Sequence, residues 1–104
     1  MDRTFSALAN ASRRKLLDAL YVANGQSLAG LCSTLSMSRQ AVSKHLAVLE
    51  KAGLVATVWR GREKIHYLSP VPLQAIYDRW IRKFEAKRLD ALAALKTTLE
   101  RDKE

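Results

Sequence analysis

Cysteine occurs once in this chain, at position 32, so no intrachain disulfide can form, and nothing suggests a secreted, disulfide-stapled design. A run of some 20 apolar residues is missing, as is an apolar export segment at the N-terminus. Both absences argue against a membrane or secreted destination and point to the cytoplasm. No internal repeat or low-complexity segment is visible. Also missing are a Gly-x-Ser-x-Gly elbow, a phosphate-binding Walker loop, a His-Glu-x-x-His pair and a paired-acid constellation, which removes the common routes to catalysis. Acids are scarce too: 10 Asp and Glu stand against 18 Lys and Arg, for a formal net charge of +8.

The length of 104 residues suits one domain with a modest core, too small to add a roomy catalytic cleft. Half of the basic excess falls between Leu35 and Ser69, where Arg39, Lys44, Lys51, Arg60, Arg62 and Lys64 face only Glu50 and Glu63. A local basic excess on a compact fold favours a polyanionic partner.

That segment opens with Met37-Ser-Arg-Gln-Ala-Val-Ser-Lys-His-Leu-Ala-Val-Leu-Glu-Lys-Ala-Gly-Leu-Val55. Ser38 is a natural N-cap, Val42, Leu46 and Leu49 form one apolar stripe at helical spacing, and Gly53 ends the helix. At 100° per residue the opposite face carries Gln40, Ser43, Lys44, Ala47 and Lys51, with no acid. Long donors and small residues on one face suit entry into a DNA major groove. An ordinary solvated helix would show a similar face, so the neighbouring segments decide between the two.

Upstream, Asp2 to Leu8 is a short helix candidate with Phe5 and Leu8 apolar. Asn10 can cap a second helix from Ala11 to about Asn24, with Leu16, Leu17 and Leu20 as its stripe. Gln26-Ser27 reads as a brief link, and Leu28, Leu31 and Leu35 mark a third helix before the Ser36-Met37 turn. Residues 28–53 thus read as helix, tight turn, helix, the first bracing the second. Downstream, 54–68 reads as a hairpin, with Gly61-Arg62 in the Gly-first form of a two-residue II′ turn. That register pairs Val58 with Ile65 and Ala56 with Tyr67 on the face expected to meet the core, and Trp59 with Lys64 and Thr57 with His66 on the other. Arg60, Arg62 and Lys64 at the tip form a basic wing suited to phosphates or a minor groove, where a plain hairpin would present only a solvated turn.

Ser69-Pro-Val-Pro72 can open a last helix, since prolines are tolerated in a first turn. Leu73, Ile76, Tyr77, Trp80, Phe84, Leu92, Leu95 and Leu99 then keep helical spacing over nearly 30 residues, roughly 40 Å at the α-helical rise. A domain of this size has a radius of gyration of about 13 Å. A two-fold homodimer built from the helices over 1–9 and 71–101 resolves the mismatch, with Phe5, Leu8, Tyr77, Trp80, Phe84, Leu92, Leu95 and Leu99 at the interface.

The order of elements and the residues themselves resemble the ArsR/SmtB family of winged helix-turn-helix regulators over essentially the whole chain. Ala7-Leu-Ala-Asn-Ala-Ser-Arg-Arg-Lys-Leu-Leu-Asp18 is similar to the family's opening signature, Ser38 to Val55 to its recognition helix, and Trp59-Arg-Gly-Arg-Glu-Lys-Ile-His-Tyr-Leu68 to its wing. The resemblance implies a mainly α fold with a two-stranded β-wing, about five helices, one domain over 1–104, and a dimeric repressor that occludes a promoter. Many members release DNA on binding metal, and here the sequence departs from the pattern. The positions of the family's Cys-x-Cys pair fall at Ser27 and Ala29, Cys32 matches at most one further ligand, and no histidine follows His66. Asp78, Glu85 and Asp90 on the last helix would select hard ions only weakly. The Trp80, Phe84, Arg88-Leu-Asp90 and Leu92 pattern resembles members without obvious metal ligands, so no metal or cofactor is expected, and the effector stays unassigned.

The remaining candidates read as structural. His45 should pack at the helix flank and bond locally, and Cys32 is a small apolar residue in the bracing helix. His66 suits either a phosphate or a solvated strand. A Cys32 and His45 dyad would sit inside the helix-turn-helix itself, so an enzyme is not expected. The expected function is sequence-specific binding of double-stranded DNA, with Ser38, Arg39, Gln40, Ser43 and Lys44 in the major groove. The alternative is a winged-helix module whose basic face docks an acidic protein.

Overall fold

The computed structural model describes residues 1–102. Seven elements precede the C-terminal helical segment: α1 (Asp2–Leu8), α2 (Ala11–Val22), β1 (Gln26–Ser27), α3 (Leu28–Thr34), α4 (Arg39–Lys51), β2 (Val55–Arg60) and β3 (Glu63–Leu68). The C-terminal segment comprises α5 (Val71–Ile76), a π-helical turn (Tyr77–Ile81) and α6 (Arg82–Asp102). Two compact units result, Met1–Leu73 and Gln74–Glu104.

In the first unit, three helices start on side-chain caps, two of them at the expected Asn10 and Ser38 and the third at Ser27, which was read only as part of a link. Asn10 accepts from the Arg13 N–H, Ser27 from Gly30 and Ser38 from Ala41, each at 3.1 Å. These bonds satisfy N–H groups left over in a first helical turn. Helix α4 ends as its glycine requires. Gly53 takes φ +76°, its N–H donates to the Glu50 carbonyl at 3.0 Å, and Leu54 N–H reaches back to Leu49 at 2.9 Å. Leu49 and Leu54 are both fully buried, so the turn that closes the helix also delivers an apolar residue to the core.

That core gathers Leu16, Leu17 and Leu20 of α2, Leu31 of α3, Val42, Leu46 and Leu49 of α4, and Val55 of β2. The stripes read from the sequence for α2 and α4 are therefore their buried faces. Leu8 and Cys32 are partly buried against this cluster. On apolar area alone, burying each Leu contributes about 1.5–3 kcal/mol, which secures α4 at a fixed orientation.

The hairpin keeps its predicted register, including Val58↔Ile65, Ala56↔Tyr67, Trp59↔Lys64 and Thr57↔His66. Gly61 takes φ +65° while Arg62 does not enter positive φ, as a II′ turn requires. Three expectations need correction. Gln26–Ser27 is not a link but a strand, pairing antiparallel with β3 in the order β1-β3-β2, so the wing belongs to a three-stranded sheet. Two residues are too few to display alternation, and their partner lies some 40 residues away.

The second correction follows from the first. Because β3 is central, both its Ile65 and its His66 are buried, although they point to opposite faces. On the edge strand β2, Ala56 and Val58 are exposed, and it is the opposite face, through Val55 and Leu68, that joins the core cluster, while Ile65 is buried apart from it. His66 is neither solvated nor at the surface: its Nδ1–H donates to the Gln26 carbonyl at 3.0 Å and ties β3 to β1.

The third concerns the last helix, read as uninterrupted. Within it Arg82 N–H donates to the Tyr77 carbonyl, five residues back, which defines the π turn. In the second unit Asp78 accepts from Gln74 and Arg82, each at 2.9 Å, and the Tyr77 hydroxyl donates to Glu85. The Glu85 bond raises the Tyr77 pKa above its ordinary value. Among the described residues no helix is long and apolar enough to cross a membrane.

Candidate nucleic-acid interface

With Val42, Leu46 and Leu49 turned inward, α4 presents Arg39, Gln40, Ser43, Lys44, Ala47 and Lys51 to solvent. Ser38 is exposed as well, but its hydroxyl is engaged in the cap. Arg60 and Arg62 are exposed at the hairpin tip, and Arg60 makes a long 3.5 Å contact to the Tyr67 hydroxyl. Lys64 is half-buried, with its ammonium 3.2 Å from the Glu50 carboxylate. All eight predicted contact residues thus lie on α4, its cap and the adjoining hairpin, and a groove of about 360 Å³ runs between the two elements. Arg39, Ser43 and Ala47 line its helix side, and Trp59, Arg62 and Lys64 its hairpin side.

Its hairpin wall is the face carrying Thr57, Trp59, Lys64 and His66. Sequence reasoning missed two of its members. Glu50 sits in the same groove as Ser43 and Ala47, at i, i+4 and i+7, so the exposed side of α4 is not free of acid. That spacing was available to find it. Burial pushes the Glu50 carboxyl up, but bonds from Lys64 and Thr57, with the nearby charges of Lys64 and His66, outweigh this and hold it below the usual value. Trp59, 68 % exposed at the groove's edge, carried no recognisable signal beyond strand alternation.

Helix α4 is braced from two sides. Helix α3 packs against it, and Arg13 of α2 donates to the Ala7 and Ser6 carbonyls at 2.8 and 3.1 Å while reaching His45 Nδ1 at 3.4 Å. His45 therefore packs and bonds as a flank residue. Among the described residues no three His, Cys, Asp or Glu converge. Ser27, at a position of the family's thiolate pair, instead caps α3.

A helix anchored by a bracing helix, with a long-donor surface and a basic hairpin beside it, is the arrangement that reads duplex DNA. A helix-turn-helix domain family matches residues 8–58. The chain is 37% identical over 86 residues to the uncharacterised HTH-type transcriptional regulator YuzN of Bacillus subtilis, covering 77% of this chain and 94% of that one. An ArsR-like transcriptional regulator from Rhodococcus sp. RHA1 superposes with a TM-score of 0.72 at 34% identity, over 95% of this chain and 89% of its own. The chain belongs to the ArsR family of helix-turn-helix transcriptional regulators. It is a DNA-binding regulator and not an enzyme. A homodimeric winged helix-turn-helix domain from Mycobacterium bovis shares this ArsR-type fold, with a TM-score of 0.64 at 21% identity, over 83% of this chain and 77% of that one.

Proposed function

We propose that this ArsR-family chain is a homodimeric repressor that binds a palindromic promoter operator. The observation that carries the reading is the exposed set Arg39, Gln40, Ser43 and Lys44 on an anchored α4, beside Arg60 and Arg62 on the wing. Gln40 and Lys44 read base edges, and Ser38, Arg39 and Ser43 place the helix on the backbone. Arg60 and Arg62 neutralise phosphates, and Lys64 adds to that basic flank while bonded to Glu50.

The helices over 1–9 and 71–101 join two copies. Phe5, Trp80, Phe84, Leu92, Leu95 and Leu99 are each 45–67 % exposed in the single chain, far more apolar surface than an unpartnered helix needs. Tyr77 is half-buried at the start of this run, and Leu8, largely packed on its own core, contributes an edge. Two-fold pairing places two copies of α4 for two half-sites, which accounts for a palindrome.

Genome-fragment selection followed by titration tests the reading. The best fragment should contain an inverted repeat, and contacts to about eight phosphates should cost about four decades of affinity between 50 and 200 mM salt. Binding that ignores sequence, or a preference for an acidic protein over duplex DNA, overturns it.

A further inference from the structure

Glu50 lies in the last turn of α4, and both its carboxylate oxygens are engaged by the wing. Thr57 of β2 donates to Oε1 at 3.0 Å, and Lys64 of β3 donates to Oε2 at 3.2 Å. One side chain of the recognition helix thus holds both strands of the hairpin. The outer hairpin has little else to set its angle. Beyond Val55, the β2 residues Ala56, Val58, Trp59 and Arg60 are exposed, and β3 is buried only at Ile65 and His66, three residues or more from Gly61.

Strand pairing fixes the two strands against each other but leaves the ribbon free to tilt against α4. Two bonds from one carboxylate to adjacent strands remove that tilt. Glu50 and Lys64 are 37 % and 39 % exposed, so their attraction is modest and its direction matters more than its strength.

We propose that Glu50 is a positioning residue for DNA reading: it locks the wing to the recognition helix, so that Arg60 and Arg62 meet phosphates in register with Gln40 and Lys44. The role rests on the DNA-binding reading above, but the lock exists in the free protein. It explains why an acid stands in a groove that otherwise attracts polyanions. Removing a plain surface acid would strengthen binding to every duplex alike, whereas removing a lock weakens discrimination.

The test compares wild type, Glu50→Gln, Glu50→Ala and Thr57→Val, which removes the other wing bond to Glu50 and leaves every proposed DNA contact in place. Affinity is measured for the best duplex selected by wild type and for its scrambled counterpart, and amide exchange is followed in the free protein. Glu50→Ala should lower the ratio of the two affinities by about three- to fivefold and speed exchange over residues 57–64 by a similar factor. Exchange in α2 should not change. Glu50→Gln, which can still accept from Thr57, and Thr57→Val, which leaves the Lys64 bond, should each lose less than half as much.

An unchanged ratio in Glu50→Ala, with both affinities raised equally, overturns the proposal. Where Glu50→Ala also loosens α2, Thr57→Val decides: an unchanged ratio with unchanged exchange over residues 57–64 overturns the lock. A wild type without preference for any duplex sinks the DNA reading instead, and wing exchange then judges the lock by itself.

Discussion

Helices α4 and α6 carry apolar residues at similar spacing, yet they use them in opposite ways. In α4, Val42, Leu46 and Leu49 are at most 3 % exposed, while in α6 Phe84, Leu89, Leu92, Leu95 and Leu99 are 54–67 % exposed. Helix α4 has 13 residues, a length marginal in water without packing, and its place depends on the core of its own unit. Helix α6 has 21 residues and leaves its apolar side chains to solvent in the single chain. An apolar stripe therefore does not say which surface will cover it. In α4 the covering surface is intramolecular, which frees the other face for a ligand; in α6 the stripe itself is the surface on offer.

The comparison breaks most visibly with Leu46→Ala. Removing a side chain 3 % exposed in the core should cost about 2–5 kcal/mol in denaturant unfolding, with α4 and DNA binding lost together. The matching change in α6, Leu95→Ala, should leave unfolding of the first unit nearly untouched but weaken self-association by about 1–2 kcal/mol, read by sedimentation. A loss of core stability in Leu95→Ala would erase the contrast between the helices.

Gln40→Ala acts on the polar face of α4 and should cost about 1–3 kcal/mol at one base pair, with little change on scrambled duplex. Equal losses on all sequences would reassign Gln40 to the backbone. Arg62→Ala should weaken binding to all duplexes similarly and lower the salt slope by about 1, as expected for one lost phosphate contact.

The smallest effect is one of pH. Because the Glu50 carboxyl is held below its ordinary value of 4.5, its contribution is complete above that value and lost as pH falls through the lower folded value. Exchange over residues 57–64 should be insensitive to this group at neutral pH, after allowance for intrinsic exchange, and rise only in acid. Glu50→Gln should remove the acid step.

Much of the first unit was legible because its signals are local. Caps at Asn10 and Ser38, the glycine stop at Gly53 and the Gly61 turn all depend on residues within a few positions of each other. The exposed residues of α4 followed from its buried stripe by geometry alone. Strand β1 was not legible, since its two residues are defined by pairing with Ile65 and His66. The burial of His66 and the exposure of Val58 depend on that same third strand. Glu50 is a different case, since its helical position was plain but its partners Thr57 and Lys64 come from another element.

The sequence by itself determined where α2 and α4 begin, where α4 ends, which stripe of each is apolar, the hairpin register and the basic bias of residues 35–69, because backbone sterics, capping and side-chain periodicity act over a few residues. Only the tertiary structure decided that β3 is a central strand, that its two faces are both covered, and that one carboxylate on α4 holds both wing strands. Those outcomes require segments distant in sequence to meet, and which surfaces meet depends on the packing of the whole unit.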